Sequence, residues 1–443
     1  MSHRPAVVGV IMDYMKLKEE NRALSRQEIR DRSLRLESRP QFFWFDIYGP
    51  CNLECRHCQF VTHGRTSDQS VSDHVYDTVI KELMPTAYRC NLGGTNLGEM
   101  TIAPRFHDFI KDCLKHQVRV NLTTNGTRMD DRWFGDLIDA LDIIGFSMEG
   151  IEDQFEFMRG FKFRFFRKHV EKVVAGRSAR NANFRVEWRY CAHSDNIHQL
   201  PDMIRMAREI GVDRIQVMNL IPTLPEHKYK TLFYHRTLAN RIFSEARQLA
   251  QELDFDINLP PQFDVGVFQK PSELVQLGQT GAAESGGCCS SAGGCGGGSN
   301  SKRLELAKCF FPWQTCSINE LGNVKPCCVY WRSMGDLQKQ SFDQVWNGRK
   351  FRKLRASINE RSDSLCFSCR MPTFDSERNS SAAHLKAGAA ELLKGLFSRQ
   401  REEVVYSGVM HKDYDPEAET LPIVKRVAAS SCESVKEETA VEV

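Results

Sequence analysis

Cys51-Asn52-Leu53-Glu54-Cys55-Arg56-His57-Cys58 sets three cysteines at CxxxCxxC spacing, directly after the apolar stretch Phe42–Tyr48. The apolar stretch reads as a strand, and the cysteines as the loop that leaves it. Three thiolates so close together can converge on one iron–sulfur cube, holding three of its four irons. The fourth iron stays open to a ligand that is not protein. A site with one open position is built for chemistry, by the logic that separates catalytic from structural zinc sites. At this stage a zinc site or a redox-inert loop is the alternative.

Outward from the loop, short apolar strands alternate with amphipathic helical stretches as far as about Leu220. The strands are expected at Phe42–Tyr48, Ala87–Gly93, Val118–Thr124, Ile143–Met148, Arg185–Tyr190 and Arg214–Leu220. Helices are expected between them, for example at Pro104–Lys115, Asp131–Leu141, Phe165–Arg177 and Gln199–Ile210. Such alternation argues for an α/β chain built on a parallel sheet. Parallel barrels carry their sites at the C-terminal ends of strands, where the cysteine loop falls.

CNLECRHC resembles the signature loop of radical S-adenosylmethionine (SAM) enzymes, CxxxCxΦC, with His57 in the usually aromatic Φ position. The six β/α units are similar to that family's partial (β/α)6 barrel. The resemblance implies a [4Fe-4S] cluster on Cys51, Cys55 and Cys58, with SAM chelating the open iron. It implies reductive cleavage of SAM to a 5′-deoxyadenosyl radical, which abstracts hydrogen from a substrate. His57 would then pack on the adenine.

Further SAM contacts follow from the same resemblance. Gly93-Gly94-Thr95-Asn96-Leu97-Gly98-Glu99-Met100 stands where the family has Gly-Gly-Glu-Pro, so Gly98 and Glu99 align only across an insertion and Met100 replaces the proline. Asn125 lies in a Thr-Asn-Gly turn, and Ser147 and Glu149 in a segment similar to the family's S-x-D-G. Strand alternation puts Arg185, Glu187 and Arg189 on the face opposite Val186, Trp188 and Tyr190. Charges on a buried strand must be paired or wet, so Arg189 is a candidate for the SAM carboxylate or the substrate.

A second cysteine set lies further on: Cys309, Cys327, and Cys366 with Cys369. Four cysteines can close a cluster or a zinc site. Between them, Gly335-Asp336-Leu337, Ser341-Phe342, Val345-Trp346-Asn347, Phe351 and Leu354-Arg355 resemble the run of SPASM domains. No later CxxxxxCxxxC continues the set. The resemblance is therefore to a small cysteine-rich α+β domain of the shorter twitch form, with a second, auxiliary [4Fe-4S] cluster. Cys316 and Cys328 read as packing cysteines, and Cys90, Cys113 and Cys191 as core.

The division expected is a helical extension over 1–40, a barrel over 41–277, a Gly/Ser/Cys-rich linker over 278–301, the twitch/SPASM-like domain over 302–375, and a helical segment with an acidic tail over 376–443. Cys288, Cys289 and Cys295 fall in the linker, and Cys432 in the tail. With 41% hydrophobic residues and a net charge of +3, the chain has enough for a core and no field that calls for nucleic acid. No apolar run reaches membrane length and no signal-peptide plan opens the chain, so a cytoplasmic location is expected. Sixteen cysteines then favour metal ligation over disulfides.

The function expected is oxidation of a small organic substrate, such as a sugar or cyclitol. The auxiliary cluster would take the electron, and flavodoxin or ferredoxin would supply the reducing power. The alternative is a peptide or protein maturase that cross-links, epimerises or oxidises a side chain. Only about forty residues precede the first strand, fewer than a winged-helix peptide-binding domain needs. No catalytic base is assigned.

Overall fold

The structure is a computed structural model that describes residues 13–58, 67–93, 98–220, 222, 227–263, 309–360 and 366. Seven parallel strands follow one another across a sheet: β1 (Phe42–Phe45), β2 (Arg89–Leu92), β3 (Arg119–Thr124), β4 (Leu141–Met148), β5 (Arg185–Ala192), β6 (Arg214–Asn219) and β7 (Asp256–Asn258). The six expected strands are all present, with ends moved by a few residues. β7 is a three-residue addition at the edge, too short to show a pattern.

Alternation explains the sheet's two faces. One face carries Phe43, Phe45, Leu92, Val120, Leu122, Ile144, Phe146, Val186, Trp188 and Tyr190, all fully enclosed or nearly so. α1 (Tyr14–Arg30) precedes the sheet and buries the polar Lys18, Asn21, Ser25 and Glu28; against the apolar face pack α2 (Asp73–Glu82), α3 (Phe106–Lys115), α4 (Asp131–Ala140), α5 (Glu152–Arg159), α6 (Phe163–Ala179), α7 (Leu200–Ile210) and α8 (Arg236–Glu252). Burying each large apolar side chain contributes about 1.5–3 kcal/mol. Caps fix where helices begin: Ser72 accepts the Val75 N–H and Asp130 the Arg132 N–H.

The opposite face is polar, and its side chains bond across strands. Asn121 Nδ2 donates to Asn91 Oδ1 at 2.8 Å, and Arg189 Nη2 donates to Asn121 Oδ1 at 2.9 Å. Arg189 also donates to Thr123 Oγ1. It crosses in the space left by Gly145, where a Cβ would collide with the guanidinium. Cys191, expected in the core, is half-buried and shares the parity of Glu187 and Arg189, so it belongs to this face. Cys90, Cys113 and Cys316 are fully buried, as expected.

The sheet continues into the C-terminal unit. β8 (Thr315–Ile318) pairs in parallel with β1, Phe42 opposite Thr315, and antiparallel with β9 (Asn323–Lys325), which pairs with β10 (Gly335–Asp336). The segment following α1 is clamped from that unit. Trp313 Nε1 donates to Ser33 O at 2.8 Å, Trp346 Nε1 to Ser38 O at 3.0 Å and Arg355 Nη1 to Leu34 O at 2.9 Å. The SPASM-like run has a packing logic. Ser341 forms a capping box with Gln344, Phe342 stacks on Trp346, and Arg355 lies 4.5 Å over the Trp346 ring.

Candidate active site

The cysteine loop leaves β1 at the C-terminal end of the parallel sheet. Gly98 is pressed against the carbonyls of Tyr48 and Gly49, where a Cβ would not fit, and the Glu99 N–H donates to Pro50 O at 3.0 Å. Gly98 and Glu99 thus hold the approach to the loop from β2. The Glu99 carboxylate is buried and spent inside the protein. It accepts from Thr101 N (3.1 Å), Thr101 Oγ1 (2.7 Å), Thr124 Oγ1 (2.8 Å) and Asn125 N (2.6 Å). Residues 94–97 of the glycine-rich stretch lie outside the described residues.

Asn125, at the end of β3, reaches the loop itself. Its Nδ2 donates to Asn52 Oδ1 at 2.9 Å and lies 3.6 Å from Cys51 Sγ. The Leu53 backbone N–H also serves the Cys51 sulfur. On the other side, Glu149 after β4 is fully enclosed. Its carboxylate takes Arg159 Nε and Nη2, the latter at 2.9 Å, and stands 3.2 Å from His57 Nε2. Burial alone would raise its pKa, yet the Arg159 charge and His57 hold it down at about 2. Arg159 Nη1 lies 3.8 Å from Cys55 Sγ.

This donor set fits an iron–sulfur cluster. Thiolate ligands of clusters take N–H···S bonds, and such bonds tune them. Here a side-chain amide, a backbone amide and a guanidinium are already turned toward Cys51 and Cys55. Burial pushes the Cys55 thiol up to about 12, with Arg159 opposing. Iron binding would remove that proton. Among the described residues no three His, Cys, Asp or Glu side chains are gathered tightly enough for a single metal ion.

Ser147 sits on the polar face opposite Arg189 in the β4–β5 register. Arg189 is tied to its neighbours on this face. Its guanidinium is committed to Thr123, Asn121 and, at 3.7 Å, Glu187. Of the auxiliary set, Cys309, Cys327 and Cys366 all pack against the core, and Cys309 lies within electrostatic reach of Cys327. Backbone N–H groups of Val329 and Tyr330 serve the Cys327 sulfur, whose thiol burial pushes up to about 12. Cys369, Cys288, Cys289, Cys295 and Cys432 lie outside the described residues.

Sequence reading missed Arg159 and the run His193-Ser194-Asp195-Asn196 after β5. All four residues of that run are buried. Asn196 organises them, accepting the His193 N–H at 2.8 Å and donating to Cys191 O at 2.9 Å and Glu149 O at 3.2 Å. Asp195 pairs with Lys230 at 2.7 Å, and burial pushes His193 down to about 4. The available signal was a polar run directly after an apolar strand, and for Arg159 an arginine one helix beyond Glu149.

Comparison with known proteins agrees with this geometry. The radical SAM superfamily model matches residues 47–233, and the SPASM iron–sulfur cluster-binding domain model matches residues 309–370. A Pyrococcus furiosus protein named tungsten-containing aldehyde ferredoxin oxidoreductase cofactor-modifying protein is 26% identical over 205 residues, 42% of this chain and 53% of its own. The PqqA peptide cyclase of Bradyrhizobium diazoefficiens is 23% identical over 178 residues, 40% of this chain and 45% of its own. The chain thus spans about half the length of the curated relatives it matches. The crystal structure of Streptococcus suis SuiB bound to precursor peptide SuiA aligns with a TM-score of 0.53 at 13% identity, covering 83% of this chain and 77% of that one. That likeness shows the fold alone. The two family matches carry the assignment: residues 47–233 are a radical SAM superfamily domain, the kind that holds a [4Fe-4S] cluster and SAM, and residues 309–370 a SPASM iron–sulfur cluster-binding domain.

Proposed function

We propose that this enzyme modifies a peptide or protein substrate by hydrogen abstraction. The similarity to the PqqA peptide cyclase supports this reading over the small-metabolite oxidation first expected. The observation that carries it is the joint match of the barrel and the SPASM domain together with that relative. A second reading, a small organic or cofactor-like substrate, is favoured by the cofactor-modifying protein of Pyrococcus furiosus.

Within the peptide reading, Cys51, Cys55 and Cys58 hold the SAM cluster, and Cys309, Cys327, Cys366 and Cys369 hold one auxiliary cluster. The bound cluster supplies the electron that cleaves SAM. The protein's part is to hold, orient and exclude. Asn125 and Arg159 fix the sulfurs, while Glu149 holds Arg159 and His57. Gly98 and Glu99 set the loop's approach, and Ser147 faces the ligand side. Arg189 braces the polar face through Thr123 and Asn121, and Asn121 passes that bracing on to Asn91. A flavodoxin or ferredoxin is the proposed donor and the cytoplasm the proposed location; no helix among the described residues is long and apolar enough to cross a membrane. The domain limits of 41–277 and 302–375 are proposed with it.

The test is anaerobic turnover with SAM, a strong reductant and peptides encoded beside this gene, read by mass spectrometry. Formation of 5′-deoxyadenosine with loss of two hydrogens from a peptide, or deuterium uptake from solvent into it, supports the reading. 5′-Deoxyadenosine that rises only with sugars or cofactor precursors selects the second.

A further inference from the structure

Arg159 ends α5 buried against the cysteine loop, 5% exposed. Two of its nitrogens are taken by the Glu149 carboxylate. The third, Nη1, is left for Cys55 Sγ at 3.8 Å. Cys55 is the most enclosed of the three loop cysteines. A buried ion pair gains little stability, because desolvation offsets the attraction. Its position against a cluster sulfur is what calls for explanation.

We propose that Arg159 and Glu149 set the reduction potential of the cluster on Cys51, Cys55 and Cys58, and that they do so with opposite signs. The inference rests on that ligand assignment. Reduction adds an electron to a buried site whose thiolates already carry negative charge. A guanidinium donating to one sulfur stabilises the reduced state and raises the potential. Glu149 binds two nitrogens of the guanidinium, whose third nitrogen is the one that meets Cys55 Sγ. The carboxylate cancels part of the cation's field while fixing where its N–H points. The pair therefore gives a directed donor with little net charge. Backbone contacts brace the arrangement: the Arg56 N–H donates to Met158 O at 2.9 Å, and Asn196 Nδ2 holds Glu149 O at 3.2 Å.

The experiment compares reconstituted wild type, Arg159→Met, Arg159→Lys and Glu149→Gln. Iron is counted first. The cluster whose electron paramagnetic resonance signal responds to SAM is then titrated potentiometrically without SAM. Arg159→Met is expected to shift the potential down, lowering the reduced-to-oxidised ratio at a fixed potential at least about threefold. Arg159→Lys is expected to shift it less, and Glu149→Gln to shift it up. A merely structural pair would not produce opposite signs. Unchanged potentials, or shifts of one sign in both Arg159→Met and Glu149→Gln, overturn the proposal. If Arg159→Met takes up no iron, Arg159→Lys below wild type and Glu149→Gln above it decide the matter. A wild type without a SAM-responsive signal fails the ligand assignment instead.

Discussion

Asn125 and Cys51 meet at the C-terminal end of the parallel strands, with Nδ2 and Sγ 3.6 Å apart, although one residue follows β3 and the other follows β1. The same amide holds Asn52, so one side chain both orients the loop and donates to a sulfur. Asn125→Ala loses both contacts, each worth about 0.5–1.5 kcal/mol. Asn125→Asp adds a carboxylate beside a thiolate and beside Glu99. Iron retained after gel filtration is expected to fall in the order wild type, alanine, aspartate.

Glu99 accepts four hydrogen bonds and is 3% exposed. Glu99→Gln turns an NH2 toward groups that only donate or prefer to donate. The cost expected is about 1–3 kcal/mol for a buried donor left without an acceptor. Thermal melting should show it directly. Iron uptake should fall as well, because the Asn125 backbone hangs on this carboxylate.

Lys18 of α1 is buried beneath the sheet, where its Nζ donates to Ala87 O and, at 3.3 Å, to Gln117 O. Burial pulls its pKa down to about 8. The unfolded chain, near 10.4, therefore binds the proton more tightly, and stability rises with pH between those values. Lys18→Met should abolish that contribution. The stability of wild type minus that of the variant is expected to increase from pH 8 to pH 10 in paired denaturant titrations. A flat difference would contradict the prediction.

Gly145 makes room for Arg189. Gly145→Ala should expel the guanidinium from Thr123 and Asn121 and cost about 1–3 kcal/mol, as overpacking does. Adding Arg189→Ala should return part of that loss. The two substitutions are thus expected to be non-additive in a double-mutant cycle measured by melting.

The six parallel strands and the cysteine loop could be read from residues because each has a local signature: alternation, an apolar run, or sulfur spacing. The parity of Ser147 and Glu149 at the end of β4 could be read in the same way. What escaped was set by tertiary contact. Arg189 reads as a charge that must be paired or wet, and its partners Thr123, Asn121 and Glu187 come from its tertiary setting. Arg159 carries only a faint local mark, an arginine one helix beyond Glu149, because its role depends on α5 folding back over Cys55. Cys191 was placed in the core because its neighbours are apolar, although its strand parity already argued for the polar face. β8 is four residues long and gave no sign that it would pair with β1.

That last pairing orders events in time. A ribosome delivers β1 and the cysteine loop early and β8 late, since synthesis runs from the N-terminus. Until β8 arrives, β1 has one unpaired edge, and residues 33–38 lack the tryptophan and arginine donors that fasten them. A nascent chain stalled before residue 309 would thus expose three thiols on an unfastened strand, open both to iron delivery and to aggregation.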